Sequence, residues 1–295
     1  MTDTSSPDRF AASVIIPAFN AEETIGDQLE GLAAQAGAPR FEVIVADNGS
    51  TDGTRHVVAR WDGSFERLVV LDASQRRGPC AARNLGAAAA SSDVFLFCDA
   101  DDRAEPMWVA SMVAALSQFD LVGGRLLDDS LNSEVVRSWY AAIPDGLFNK
   151  YAGFLLYASG ANLGVTRELF ETIGGWDETF TNATDADFCF RAQLDGGARI
   201  GYARDATMQY RFRGDLAGMS RNMRSYGRAD VQLAERYWAS GLRPRSAASI
   251  LRSWGVLAAR SPELVRGTTA RGRWIRRASV EAGRLGENLR RRLLA

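Results

Sequence analysis

Histidine is almost missing from this chain: His56 stands alone among 295 residues. It sits in the helix-like run DGTRHVVARW, where an exposed or capping place fits it better than catalysis, so neither a histidine-built zinc site nor a Ser-His triad is expected. Cysteine is scarce too. Cys80, Cys98 and Cys189 form no close-spaced pair, which fits reduced thiols in a cytosolic setting better than a disulfide framework. No apolar run approaches the roughly 20 residues that cross a bilayer, and the polar start MTDTSSPDRF lacks the basic-then-apolar layout of an export signal. Neither membrane spanning nor export is expected. There is no internal repeat and no Pro/Ser spacer before residue 243, and the turn PAFNAEETIG lacks the Gly-rich, basic loop that cradles a triphosphate.

What remains is a globular composition, 46% apolar and 24% charged, enough for one large domain or two small ones. The net charge of −1 conceals a division. Residues 243–295 hold 13 Arg against Glu263, Glu281 and Glu287, a net +10, which leaves −11 on residues 1–242. The tail is a separate electrostatic object.

Up to residue 101 the pattern alternates. ASVIIPAF, FEVIVAD, ERLVVLD and DVFLFCDAD read as strands, and AEETIGDQLEGLAAQ, DGTRHVVARW and GPCAARNLGAAAAS as the helices between them. This predicts an α/β fold with a mostly parallel sheet flanked by helices, which binds ligands at the carboxyl ends of its strands. Further on, EPMWVASMVAALSQ reads as a helix and FDLVGGRLL and YASGANLGVT as strands. RELFETIGG and DADFCFRAQLDGG read as helices closed by glycine pairs. ARIGYARDATMQYRFR is expected as two short strands and residues 215–238 as a helix, while DDSLNSEVVRSWYAAIPDGLFNKYAG is expected as a long loop with helical pieces.

Two strands end in aspartate, Asp47 and Asp99, so both carboxylates belong to the ligand-binding rim. Asp99, Asp101 and Asp102 crowd the second of these ends, where like charges repel and raise one another's pKa. A divalent cation with hard oxygen ligands, Mg²⁺ or Mn²⁺, removes that cost. Asp102 is expected to cap the helix that follows.

In order and spacing, SVIIPAFNAEETI, FEVIVADNGSTDGT, GPCAARNLGAAAASSDVFLFCDADD, SGANLGVTRELFETIGGWDETF and TDADFCFRAQLDGGARIGY resemble the family 2 glycosyltransferases, over about residues 12 to 230. The resemblance implies the GT-A fold, with a nucleotide-binding half near residues 12–102, an acceptor half near 103–242, and the helical tail at 243–295. It implies an inverting, metal-dependent transfer from a nucleotide-diphosphate sugar to a glycan or lipid-linked acceptor, of the kind that builds cell-envelope polysaccharide. Pro17, Ala18, Asn20 and Glu22 match the segment that holds the nucleotide, and Asp47 the carboxylate at its base. Arg76 or Arg77 would lie beside the base or phosphates, and Arg83 with Asn84 fills the family's Arg-Asn pair. Asp99, Ala100 and Asp101 match the DxD motif, Asp99 near the ribose and Asp101 on the metal.

By the same resemblance Asp185 is the base that deprotonates the acceptor, although Thr184 stands where Glu is frequent. Relatives often carry a metal-completing histidine near ATMQYRFR; here Tyr210 and Arg211 occupy that place, and Arg211 and Arg213 are candidates to assist the diphosphate. Trp176 and Asp177 are expected to meet the acceptor sugar, with a core role for Trp176 as the alternative. Asp187 and Arg191, four apart on a helix, are expected as an ion pair. SRNMRSYGRAD only faintly matches the motif of processive polymerases, so a single addition is expected.

In the tail, Ile250, Trp254, Leu257 and Ala258 share a helical face, as do Ile275, Ala278, Ala282, Leu285, Leu289 and Leu293, with arginines between them. Basic amphipathic helices of this kind lie in the interface of anionic membranes, which predicts peripheral attachment to the inner face of the cell membrane. Packing of the tail on the acidic domain is the alternative, and Gly272, Gly283 and Gly286 are expected to weaken the helix. Nucleic acid is not an expected partner. The rival readings are a catalytically silent carbohydrate-binding scaffold and a nucleotidyltransferase that makes the activated sugar.

Overall fold

Strands of a parallel sheet covered on both faces read as unbroken apolar runs, and ASVIIPA does so: β1 (Ala12–Ala18) is buried along almost its whole length in the computed structural model, which describes residues 9–151, 154–180 and 182–291. β2 (Phe41–Asp47) and β4 (Val94–Cys98) flank it in parallel, with β3 (Leu68–Asp72) outside β2. The crossovers are α1 (Ile25–Ala33), α2 (Thr54–Ala59) and α3 (Pro79–Ala89). Beyond β4 the sheet continues through β7 (Asn162–Thr166), β6 (Leu121–Leu127) and β8 (Ile200–Gln209) to the two-residue β5 (Arg103–Ala104).

β7 runs antiparallel to both β4 and β6. Cys98 therefore pairs with Asn162, and the start of β7 faces the carboxyl end of β4. That reversal brings the segment Ser159–Ala161 to the rim beside Asp99. ARIGYARDATMQYRFR departs from expectation: it forms one strand, β8, that stays with β6 through a register shift between Gly124 and Arg125. The shift absorbs an irregularity that reads in sequence as a break.

The remaining helices are α4 (Trp108–Leu116), α5 (Glu134–Arg137), α6 (Arg167–Thr172), α7 (Thr184–Leu194), α8 (Leu216–Arg236), α9 (Ala247–Ala259) and, after a 3₁₀ turn, α10 (Thr268–Arg291). Asp102 does not cap α4. That helix begins six residues later, after Met107 and without a side-chain cap, while Asp102 is fully buried.

The tail docks on α8. A Cβ on Gly227 would stand 2.1 Å from the Val280 carbonyl oxygen, one on Gly283 2.1 Å from that of Arg224, and one on Gly272 2.2 Å from the Trp139 ring. Gly272 and Gly283, expected to weaken α10, instead permit close packing: Gly283 lets the backbones of α10 and α8 approach, and Gly272 makes room for the Trp139 ring. Arg284 pairs with Asp230 at 2.6 Å and Arg291 pairs with Glu235, so the basic tail engages both carboxylates of α8. Ile275, Ala278, Ala282 and Leu285 are only half-buried and Leu289 is exposed; Arg292 and Leu293 lie outside the described residues. Among the described residues no helix is long and apolar enough to cross a membrane.

Candidate active site

The carboxyl ends of β1 and β4, the first turns of α3 and α7, the start of β7 and the chain after β8 surround a cavity of about 910 Å³. Its lining includes Pro17, Ala18, Asn20, Glu22, Arg83, Asp99, Ala100, Asp101 and Asp185, nine positions singled out in the sequence. Asn20 takes a left-handed backbone conformation, φ 48°, an uncommon choice for a residue with a side chain. Its Oδ1 accepts from the Thr51 N–H at 2.8 Å and its own N–H donates to the Ser50 hydroxyl at 2.9 Å. Glu22 accepts from the Gly53 N–H at 2.9 Å. These bonds tie the loops after β1 and β2 into one wall.

Asp47 and Arg76 fall outside that wall. Asp47 is fully buried, accepting from the Ser50 N–H at 3.1 Å and paired with Arg55, so its expected place against a base is covered. Arg76 points to solvent and reaches Glu178 at 3.5 Å, while Arg77 lines the cavity. Trp176 and Asp177 line no cavity around the acidic cluster. After two left-handed glycines, Gly174 and Gly175, Trp176 turns inward, stacks on Phe188 with ring centroids 4.4 Å apart and is 2% exposed. It is a core plug, and Asp177 is held by Thr179 and Arg236. The expected contact with an acceptor sugar is thereby replaced by packing. Asp187 and Arg191 form the expected pair at 2.9 Å.

The acidic cluster is closely built. Carboxylate oxygens of Asp99, Asp101 and Asp102 lie within 4.8 Å of one another. Arg83 Nη2 donates to Asp99 Oδ1 at 2.6 Å, with its guanidinium 4.7 Å above the Trp176 ring. Gln28, buried on α1, donates to the Asp99 carbonyl at 3.2 Å and accepts from the Ala104 N–H at 2.8 Å. Asp102 Oδ1 accepts from the Arg211 N–H at 2.8 Å, whereas its Oδ2 is buried with no partner. Burial, and then the neighbouring Asp99, raises the Asp101 carboxyl above its ordinary range. Burial followed by both neighbours pushes Asp102 well above it. Clustered hard oxygens, one of them orphaned, fit Mg²⁺ or Mn²⁺.

The arginines after β8 divide. Arg211 is engaged with Asp27 and with the Asp101 carbonyl, so it braces the rim. Arg213 reaches an Asp101 carboxylate oxygen at 3.2 Å.

Asp185 lies in the first turn of α7, behind a left-handed Ala183, and its Oδ1 accepts from the Ala186 N–H at 2.9 Å. Burial raises its pKa, against opposing pulls from the Ala186 and Gly160 amides and from Arg83 and Lys150. A second cavity, of about 860 Å³, meets the first at Asp99, Asp101 and Asp185. Asn222 and Tyr226, four apart on α8, line both cavities. Their spacing marks one helical face, the only trace of them in the sequence, since nothing there says that α8 crosses the site.

Residues 13–174 match the family model described as glycosyl transferase family 2, and residues 94–268 that of glycosyl transferase family group 2. The chain is 28% identical over 196 residues to the glycosyltransferase AglE of Haloferax volcanii, covering 65% of this chain and 64% of that one. It is 27% identical over 267 residues to the pre-mycofactocin glycosyltransferase of Mycobacterium tuberculosis, covering 86% of this chain and 53% of that one. It thus spans less than two thirds of the length of either relative. Among solved structures, the mannosyltransferase PcManGT from Pyrobaculum calidifontis, in complex with GDP-Man and Mn²⁺, matches with a TM-score of 0.63 at 21% identity, over 95% of this chain and 87% of that one. Likeness at that identity shows the fold, GT-A.

Proposed function

The chain belongs to glycosyltransferase family 2, and from that premise we propose that it moves one sugar from a nucleotide-diphosphate donor to an acceptor hydroxyl, with inversion at the anomeric carbon. The observation that carries this reading is the meeting of two cavities at Asp99, Asp101 and Asp185. The nucleotide takes the first cavity, along Pro17, Ala18, Asn20 and Glu22, with Asp99 near its ribose. Arg77, Arg83 and Arg213 give that side the positive charge a diphosphate needs. Asp101, with Asp99 and Asp102 beside it, would hold Mg²⁺ or Mn²⁺, which as a Lewis acid neutralises charge growing on the leaving diphosphate.

Asp185 takes the proton of an acceptor hydroxyl arriving from the second cavity. As it does so, the acceptor oxygen bonds to the anomeric carbon and the diphosphate leaves with the electron pair of the broken bond. A carboxylate raised by burial is the better base for that proton. The bound GDP-Man of the Pyrobaculum protein supports a nucleotide sugar as donor.

Exposed Leu251, Val256 and Leu289 among the tail arginines support peripheral attachment to an anionic membrane. Sedimentation with phosphatidylglycerol vesicles, lost in L251E/V256E, is the expected result; equal sedimentation of both proteins rejects the attachment.

Titration of UDP-, GDP- and dTDP-sugars, with and without Mn²⁺, tests the main reading. One donor should bind tightly and be cleaved to nucleoside diphosphate. Binding of none overturns the proposal, and turnover of a nucleoside triphosphate would assign the chain to sugar activation instead.

A further inference from the structure

The second cavity differs in character from the first. Tyr140, Phe148, Tyr151, Tyr157 and Tyr226 give it aromatic walls, and Arg276, Arg277 and Arg284 of α10 enter it from the tail. Arg284 is neutralised, by Asp230 at 2.6 Å and Glu281 at 2.8 Å. The other two are not. Among the described residues neither Arg276 nor Arg277 forms an ion pair, and Arg276 Nε is buried without a hydrogen-bond partner.

The nearby acids do not fill this gap. Asp128, Asp129 and Glu134 line an adjoining cavity that the two arginines share, but Asp128 is held by Arg137 at 2.9 Å, and neither Asp129 nor Glu134 pairs with Arg276 or Arg277. Glu281 is occupied by Arg245 and Arg284. Burial, and then the adjacent Arg277, lowers the Arg276 pKa. Two neighbouring guanidiniums turned into a partly desolvated cavity, without a counter-ion, are a costly arrangement that an anion relieves.

The same cavity ends at Asp185. A molecule whose hydroxyl reaches that carboxylate from this side lies between the aromatic walls and the arginines. Resting on the transferase reading above, we infer that the acceptor carries a phosphate group, which seats on Arg276 and Arg277 while the body of the acceptor lies along the aromatic wall. The tail is then part of the acceptor site, and Arg276 and Arg277 select for the anionic group. The phosphate can belong to a lipid or to a soluble sugar phosphate, since either presents the same oxygens to the two guanidiniums.

The probes are octyl phosphate, glucose 1-phosphate and, as the neutral control, octyl glucoside. Each is titrated into the full-length protein by calorimetry with Mn²⁺ and whichever nucleoside diphosphate, UDP, GDP or dTDP, binds it held at saturation. At least one phosphate should bind tenfold or more tightly than octyl glucoside, and R276Q/R277Q should lose that preference with nucleotide binding and melting temperature unchanged. R276K/R277K, which keeps the charge, should recover part of it. Preference for octyl phosphate identifies a lipid source and preference for glucose 1-phosphate a soluble one. Equal binding of phosphates and octyl glucoside, or a preference that survives R276Q/R277Q, overturns the inference and leaves the transferase reading intact. If none of the three nucleotides binds, the transferase reading falls, and this inference with it. If R276Q/R277Q does not fold, the comparison of phosphates with octyl glucoside on the unaltered protein still decides.

Discussion

Arg213 lies 3.2 Å from a carboxylate oxygen of Asp101, at the place where a metal ligand is expected. A cation bound there meets a positive charge already in position. At an effective dielectric near 20, unit charges about 4 Å apart interact by roughly 4 kcal/mol, and solvent exposure of the arginine reduces this to about 1 kcal/mol. Arg213→Gln should therefore lower the Mn²⁺ concentration needed to half-saturate the protein in the absence of nucleotide by about fivefold. An unchanged metal requirement would show that the arginine turns away when the ion binds.

Asp185→Asn should leave nucleotide binding within about twofold and reduce transfer by at least roughly 1000-fold, the loss of a general base at the reacting oxygen. In the unaltered protein the acidic limb of kcat/KM should lie above the ordinary carboxylate value of about 3.9, because burial raises this group. Substantial transfer by the asparagine variant would remove Asp185 from the mechanism.

Gly227→Ala should separate α8 from α10. The new methyl meets the Val280 carbonyl, which has no rotamer by which to yield, and overpacking of this kind costs about 1–3 kcal/mol. Thermal unfolding should show the loss, and the control Gly286→Ala, where a Cβ finds open space, should show none.

Burial pushes Asp177 up, but bonds from Thr179 and from the Arg236 guanidinium outweigh it and hold the carboxyl at about 2. A depressed folded pKa stabilises the fold above the unfolded value of about 3.9, and that stabilisation disappears as pH falls through the folded value. Discounted for its solvent-facing side, the effect is about 1 kcal/mol. Urea unfolding should show Asp177→Asn less stable than the parent by that amount at pH 6, with the gap narrowing steadily as the solution is acidified. A gap that does not depend on pH would disprove the ion pair.

Trp176→Ala tests the same turn from inside. As a core plug against Phe188 and Phe97, the tryptophan should cost about 3–5 kcal/mol when removed. A variant that kept its melting temperature and lost only acceptor affinity would restore the sugar-contact role.

The parallel half of the molecule was readable from local patterning. β1, β2 and β4 are apolar because both faces of the sheet are covered, each leads into a helix, and that alternation alone directs Asp99 and Asp101 to the ligand rim. The motif spacing carried the family. Asp102 was expected as a cap and is buried instead, while Asp47 at the end of β2 and Trp176 after a turn are residue types that suit a ligand contact or an internal partner equally well. Only burial, the Arg55 partner and the Phe188 face distinguish these roles.

The tail turned on the same kind of distinction. Gly272 and Gly283 count against a helix when propensity is considered residue by residue, and they favour it once the Trp139 ring and the α8 backbone lie within van der Waals reach. Chain composition settled that the tail would be basic and helical in pattern. That Arg276 and Arg277 turn into a cavity ending at Asp185, more than 90 positions earlier in the chain, was decided by the packing of α10 on α8, because contacts between distant segments leave no local periodicity to read.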